Sequence, residues 1–133
     1  MDNCIFCKIV KGEVPSHKVY EDDHTYVFLD IEPVNEYHTL VIPKKHYTDI
    51  FDVPEDEAVF LMKTIKKITK LYNEKLGLKN IQILNNSGRE AQQVVFHIHF
   101  HIIPRYEGDG QKIKQTKHPE WCDRFNDLLA KLN

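Results

Sequence analysis

The sequence predicts an α+β fold, an antiparallel sheet with one long helix and short N- and C-terminal helices. Three features lead there. Short runs rich in β-branched and aromatic residues are bounded by Gly, Pro, Asn and Asp. One stretch, Pro54 to Leu76, repeats apolar residues every three or four positions. The segment Phe96 to Pro104 alternates strictly, with His97, His99 and His101 separated by Ile98 and Phe100. Strand runs with a single long helix favour an antiparallel sheet over alternating βαβ units. At 133 residues, 41% hydrophobic, the chain is expected to form a single domain spanning 1–133.

The elements follow in order. Cys4 to Lys11 carries Ile5, Phe6, Ile9 and Val10 at helical spacing, and Gly12 and Pro15 end it. His17 to Tyr20 and Thr25 to Leu29 are β-rich and flank the acidic turn Glu21-Asp22-Asp23, as in a hairpin. A polar turn around Pro33 and Asn35 leads to a third strand, Thr39 to Ile42, closed by Pro43. The long helix follows, with Ala58, Leu61, Ile65, Ile68, Tyr72 and Leu76 on one face. Pro54 and the acidic Glu55, Asp56 and Glu57 suit its positive end, Lys75 its negative end, and Gly77 stops it. Ile81 to Leu84 reads as a strand, the polar loop Asn85 to Gln93 leads into the histidine run, and Trp121, Phe125, Leu128 and Leu129 are spaced for a last short helix.

Composition excludes several function classes. A net charge of −2 with both signs interspersed leaves no basic stripe for nucleic acid. No segment approaches the ~18 apolar residues of a membrane span, and the first residues lack the basic flank and apolar run of a secretory leader. The expectation is a cytoplasmic protein with neither nucleic-acid nor membrane partners. Three cysteines, Cys4 and Cys7 close together and Cys122 alone, fit a metal or thiol motif better than a disulfide framework. Cys122 reads as a small apolar residue.

The histidine run carries the chemistry. On a strand, successive side chains point to opposite faces, so the three imidazoles would share one face while Ile98, Phe100 and Ile102 are buried behind them. Imidazole, with an ordinary pKa near ~6.5, serves near neutrality as nucleophile, base, acid or metal ligand. Taken alone, the pattern admits three surface histidines, a metal centre, or nucleophilic catalysis at phosphorus. Cys4-x-x-Cys7 likewise admits a redox pair, two buried small residues or half of a zinc site. Asp30 alone would be a turn residue at a strand end.

The run His97-Ile98-His99-Phe100-His101-Ile102-Ile103 resembles the signature of the histidine triad (HIT) superfamily of nucleotide hydrolases and transferases. Three more segments match it in order and spacing: Cys4-Ile5-Phe6-Cys7-Lys8-Ile9, Phe28-Leu29-Asp30-Ile31-Glu32-Pro33, and His38-Thr39-Leu40-Val41-Ile42-Pro43-Lys44-Lys45-His46. The resemblance covers nearly the whole chain and implies a HIT-like fold. It implies that His99 attacks the α-phosphorus of a purine nucleotide, a phosphoramidate or a dinucleoside polyphosphate. A covalent nucleotidyl-histidine forms, which water then hydrolyses. The His97 carbonyl would hold His99 in the attacking tautomer, His101 would contact the phosphate and leaving group, and His38 would support the triad.

By the same resemblance Asp30 accepts from the ribose hydroxyls, while Ile5, Phe6, Ile9, Phe28 and Ile31 sandwich the base. Asn86 and Gln93 occupy the family's polar loop positions. Gln92 stands where glycine is common and Val94 where some members have serine, so the leaving-group side departs from the pattern; Arg89 and Glu90 are left without a role. Some bacterial members bind zinc through residues matching Cys4, Cys7, His46 and His97, which implies a closed, structural Zn2+ site. His101, where the transferase branch typically has glutamine, favours a hydrolase. A homodimer through the long helix and a strand is also implied. The alternative is a nucleotide-binding regulatory protein with slow or incidental hydrolysis.

Overall fold

The computed structural model describes residues 3–112 and 114–133. Five strands form one antiparallel sheet in the order β1-β2-β3-β5-β4: β1 Lys18–Glu21, β2 Thr25–Leu29, β3 Thr39–Pro43, β4 Ile81–Asn85 and β5 Phe100–Pro104. Helix α1 is Ile5–Val10, α2 is Glu55–Leu76, and α3 is Phe125–Ala130 after a 3₁₀ turn at Pro119–Arg124. The α+β expectation therefore stands. Strand β1 lies one residue later than the sequence pattern suggests, because a bulge between Lys18 and Tyr20 shifts its register against β2.

Alternation along the strands sorts the core into two halves. Val27, Val41 and Ile102 face α2 and meet Leu61, Ile65, Ile68 and Tyr72. Each of these aliphatic side chains contributes about 1.5–3 kcal/mol by leaving water. Two hydroxyl pairs cross the same seam, Thr25 with Thr64 at 2.8 Å and Thr39 with Tyr72 at 2.7 Å, which satisfies polar groups that burial would otherwise penalise. Gly77 ends α2 in the left-handed conformation, φ 69°, with its N–H on the Asn73 carbonyl. The opposite sheet face, Tyr26, Phe28, Leu40 and Ile42, packs on Phe6 and Ile9 of α1.

The histidine run is not one strand. Ladder pairing between β4 and β5 begins at Asn85 and Phe100, so His97, Ile98 and His99 precede the strand. Other partners hold them there: Ile98 N–H donates to the Tyr47 carbonyl at 2.7 Å, and Asn85 Nδ2 donates to the His99 carbonyl at 3.0 Å. A segment whose backbone groups are satisfied off the ladder can bend, so the three imidazoles need not share one face. The C-terminal helix forms where expected, but Trp121, Phe125, Leu128 and Leu129 are all exposed, as is Cys122. Among the described residues no helix is long and apolar enough to cross a membrane.

Candidate active site

On the α1 face of the sheet lies a cavity of about 450 Å³. Its lining is largely apolar, with Ile5, Phe6 and Ile9 of α1 and Phe28 and Leu40 of the sheet. One end is polar, where Asp30, Asn86, His99 and His101 line it. One large apolar wall with a few convergent polar groups is the usual form of a small-molecule site. Ile5, Phe6, Ile9, Phe28, Asp30, Ile31 and Asn86 all border this space, although Ile31 is 82% exposed and sits at the rim. Ser16, Val14 and Val95 border it too and were not singled out by sequence. Ser16 pairs its hydroxyl with Tyr26 at 2.8 Å, a contact with no local sequence signal.

The polar end has a fixed proton arrangement. A carbonyl oxygen only accepts, so His99 Nδ1, 2.8 Å from the His97 carbonyl, carries a proton and Nε2 is left with its lone pair. A backbone N–H only donates, so His38 Nδ1, 3.1 Å from Val34 N, is the acceptor and Nε2 carries the ring proton. That proton points at His101 Nδ1, 2.9 Å away, and at Asp30 Oδ2, 3.4 Å away. His101 therefore accepts at Nδ1 and presents Nε2–H as a donor. Asp30 Oδ1 is held by the Glu32 N–H at 2.8 Å. The His99 and His101 rings lie 5.0 Å apart, and Phe6 sets its edge against His99 at 5.1 Å.

Burial keeps these imidazoles neutral. It pushes His101 down to about 4, with neighbouring His99 and His38 adding to the fall. Burial likewise lowers His99 and His38, and for His38 the nearby Asp30 carboxylate works against the shift. Asp30, His38 and His101 bring three ligand atoms within 4.8 Å of one another. The Val34 N–H argues against a metal there, since a neutral His38 held at Nδ1 has no lone pair on Nε2.

His97 leaves this face. Its Nε2 donates to the Pro43 carbonyl at 2.8 Å, which frees Nδ1 to face Cys4 Sγ at 3.4 Å and Cys7 Sγ at 3.6 Å. His46 Nδ1 lies 3.4 Å from Cys7 Sγ. The four ligand atoms of Cys4, Cys7, His46 and His97 are within 4.8 Å of one another, a group that could hold a metal ion. A tetrahedral ion with Zn–S of about 2.3 Å and Zn–N of about 2.0 Å sets sulfur and nitrogen roughly 3.5 Å apart, so the spacing fits. The Pro43 carbonyl behind His97 is the usual orienting partner of a ligating imidazole. Without a cation, burial and the neighbouring Cys4 raise the Cys7 thiol to about 11.

The model of the HIT domain matches residues 11–108. The chain belongs to the HIT family. It is 45% identical over 135 residues to an adenosine 5'-monophosphoramidase of Candida albicans, covering 98% of this chain and 89% of that protein. Among solved structures, a HIT family protein from Bacillus anthracis superposes with a TM-score of 0.90 at 40% identity, covering 98% of this chain and 95% of that one. A Zn-bound histidine triad family protein from Mycobacterium smegmatis superposes with a TM-score of 0.79 at 36% identity, covering 98% and 96%. HIT family members, adenosine 5'-monophosphoramidases among them, are nucleotide hydrolases.

In this HIT protein the two glutamines of the loop before the histidine run sit differently with respect to the cavity. Gln93 is buried and does not border the cavity: its Oε1 accepts from Gly88 N–H at 2.7 Å, and its Nε2 donates to the carbonyls of Thr48 and Val95 at 2.7 and 3.1 Å. Its amide holds the loop in shape. Gln92 does border the cavity, and its backbone is left-handed at φ 69°, the conformation for which glycine is the natural choice. Arg89 lies on an exposed 3₁₀ turn, Arg89–Ala91.

Proposed function

We propose that this protein is a nucleoside phosphoramidate hydrolase that works through a covalent nucleotidyl-histidine at His99. The observation carrying this is the bond from His99 Nδ1 to the His97 carbonyl, which leaves a lone pair on Nε2 of a ring bordering the cavity. That lone pair forms a bond to the α-phosphorus as the bond to the leaving amine breaks with its electron pair. His101 Nε2–H donates a hydrogen bond that steadies the charge building on the departing nitrogen, which takes a proton from solvent and leaves as the neutral amine. Water then attacks phosphorus, gives its proton to solvent, restores the His99 lone pair and releases the nucleoside monophosphate. Asp30 accepts from the ribose hydroxyls, the apolar end takes a purine, and Asn86 borders the phosphate end. A dinucleoside polyphosphate would use the same groups, but the amine chemistry of the Candida albicans relative favours a phosphoramidate.

The metal we assign to Cys4, Cys7, His46 and His97 is zinc. When bound it supplies a brace and no open coordination position. These ligands would tie α1 and the residues after β3 to His97, two positions from the nucleophile.

The test is rapid quenching with an adenosine phosphoramidate and intact-protein mass spectrometry. The expected result is a nucleotidyl adduct in wild type and none in His99→Ala. Tight nucleotide binding with neither adduct nor turnover would show a regulatory binding protein instead. The expected homodimer draws support from exposed Val59 and Met62 on α2 and Ile83 on the edge strand β4. Light scattering on the purified protein checks it, and a monomer mass at micromolar concentration would refute it.

A further inference from the structure

We infer that Asn35 and Gln111, organised by the Arg105–Asp109 pair, are positioning residues that fix the tautomers of His38 and His101. The starting point is the loop between β2 and β3. Ile31 to Tyr37 makes no ladder pairing and is exposed except for the half-buried Asn35. Yet this loop holds the N–H of Val34, the group that makes His38 Nδ1 an acceptor.

The loop is latched from outside the cavity. Gln111 Nε2 donates to the Val34 carbonyl at 3.1 Å, and Asn35 Nδ2 donates both to the Pro104 carbonyl at 2.9 Å and to Asp109 Oδ2 at 3.0 Å. Asp109 is itself held: Arg105 Nε and Nη2 reach its two oxygens at 2.9 and 3.2 Å, and the N–H groups of Tyr106 and Gln111 add bonds at 3.0 and 2.9 Å. Arg105 Nη2 also donates to the Gln111 carbonyl at 2.7 Å. The turn after β5 is thereby tied together, and it holds the Val34 carbonyl and the Asn35 side chain.

The chain of consequence is short. If the latch opens, Val34 N–H no longer has to face His38, Nδ1 of His38 can take the ring proton, and Asp30 Oδ2, 3.4 Å from Nε2, is left as the group that favours the original tautomer. His38 Nε2 then becomes an acceptor, and His101 turns its single proton inward to Nδ1. Its Nε2 is left as a lone pair toward the cavity, unable to donate to a departing amine. No atom of the latch borders the cavity. The catalytic consequence rests on the hydrolase reading above, while the tautomer consequence does not.

The experiment separates the two. Long-range 1H–15N imidazole spectra of wild type should show His38 and His101 each protonated at Nε2 and bare at Nδ1. In Asn35→Ala/Gln111→Ala, both rings should shift to averaged nitrogen signals, with amide dispersion retained. Rates on adenosine phosphoramidates should fall about 10-fold for basic alkylamine leaving groups and no more than about 3-fold for weakly basic arylamines, because only the former depend on the N–H donor. Unchanged tautomers, or equal losses across the series, would overturn the latch. If wild type turns over no phosphoramidate, the hydrolase reading fails and the nitrogen spectra alone decide the latch. Should the double variant fail to fold, Gln111→Ala alone removes the bond to Val34 and carries the same expectations.

Discussion

His38 Nε2 stands 2.9 Å from His101 Nδ1, and this single contact orients the triad's third histidine. Because Val34 N–H occupies the far nitrogen of His38, the proton between the two rings belongs to His38. His101 is left with Nε2–H as its outward face. A buried imidazole pair with a defined direction is a donor aimed at one place. The opposite polarity holds for His99, whose proton is tied to the His97 carbonyl. One ring offers a lone pair and its neighbour an N–H, the polarity that the proposed reaction calls for.

Replacing His99 tests the first half of that statement. His99→Ala should lower kcat on an adenosine phosphoramidate by about 10⁴-fold or more, with KM changed only a few-fold. Steady-state kinetics with a mass-spectrometric search for the adduct provides the check. A variant that keeps a tenth of wild-type activity would remove His99 from the mechanism.

Acid stability should register the depressed His101. Its folded pKa, about 4, lies below the unfolded value near 6.5, so the unfolded chain binds more protons between those pH values. The contribution is complete above about pH 6.5 and is lost as pH falls toward 4. Thermal melts across this window should show wild type losing more Tm than His101→Asn. Parallel curves for the two proteins would contradict the burial argument.

Asp30 should matter through the ribose. Charge-assisted hydrogen bonds are worth about 1.5–3 kcal/mol, so Asp30→Ala should raise KM for a ribonucleoside phosphoramidate by roughly 10- to 100-fold. The same substitution should barely affect a 2',3'-dideoxy analogue. Equal losses on both would assign Asp30 to His38 instead, whose Nε2 lies 3.4 Å from Oδ2.

Metal analysis addresses the second cluster. Purified protein should carry close to one zinc per chain by mass spectrometry, and Cys4→Ala should lose the metal and lower Tm. Turnover by the fraction that stays folded should fall much less, since the ion braces rather than reacts. Zinc-free wild type of full stability would refute the structural role.

The amino-acid pattern carried the elements, and resemblance to the HIT family supplied the candidate site. The period of Leu61, Ile65, Ile68 and Tyr72 is local information, so α2 could be bounded at Pro54 and Gly77 before any contact was known. Resemblance to zinc-binding HIT proteins brought together Cys4, Cys7, His46 and His97, whose ligand atoms do converge. Alternation misled at His97 and His99, because a two-residue period cannot show that the Tyr47 carbonyl and the Asn85 side chain, rather than ladder bonds, take the backbone groups there. The setting of Gln93 was hidden for a related reason: a polar side chain in a loop can face a ligand or its own backbone, and here its amide meets Gly88 N–H and the carbonyls of Thr48 and Val95. Which residues stand as candidates for the chemistry was thus legible in the sequence. Which nitrogen of each histidine holds its proton was decided by tertiary structure, because that choice depends on a carbonyl or N–H brought up by the folded backbone.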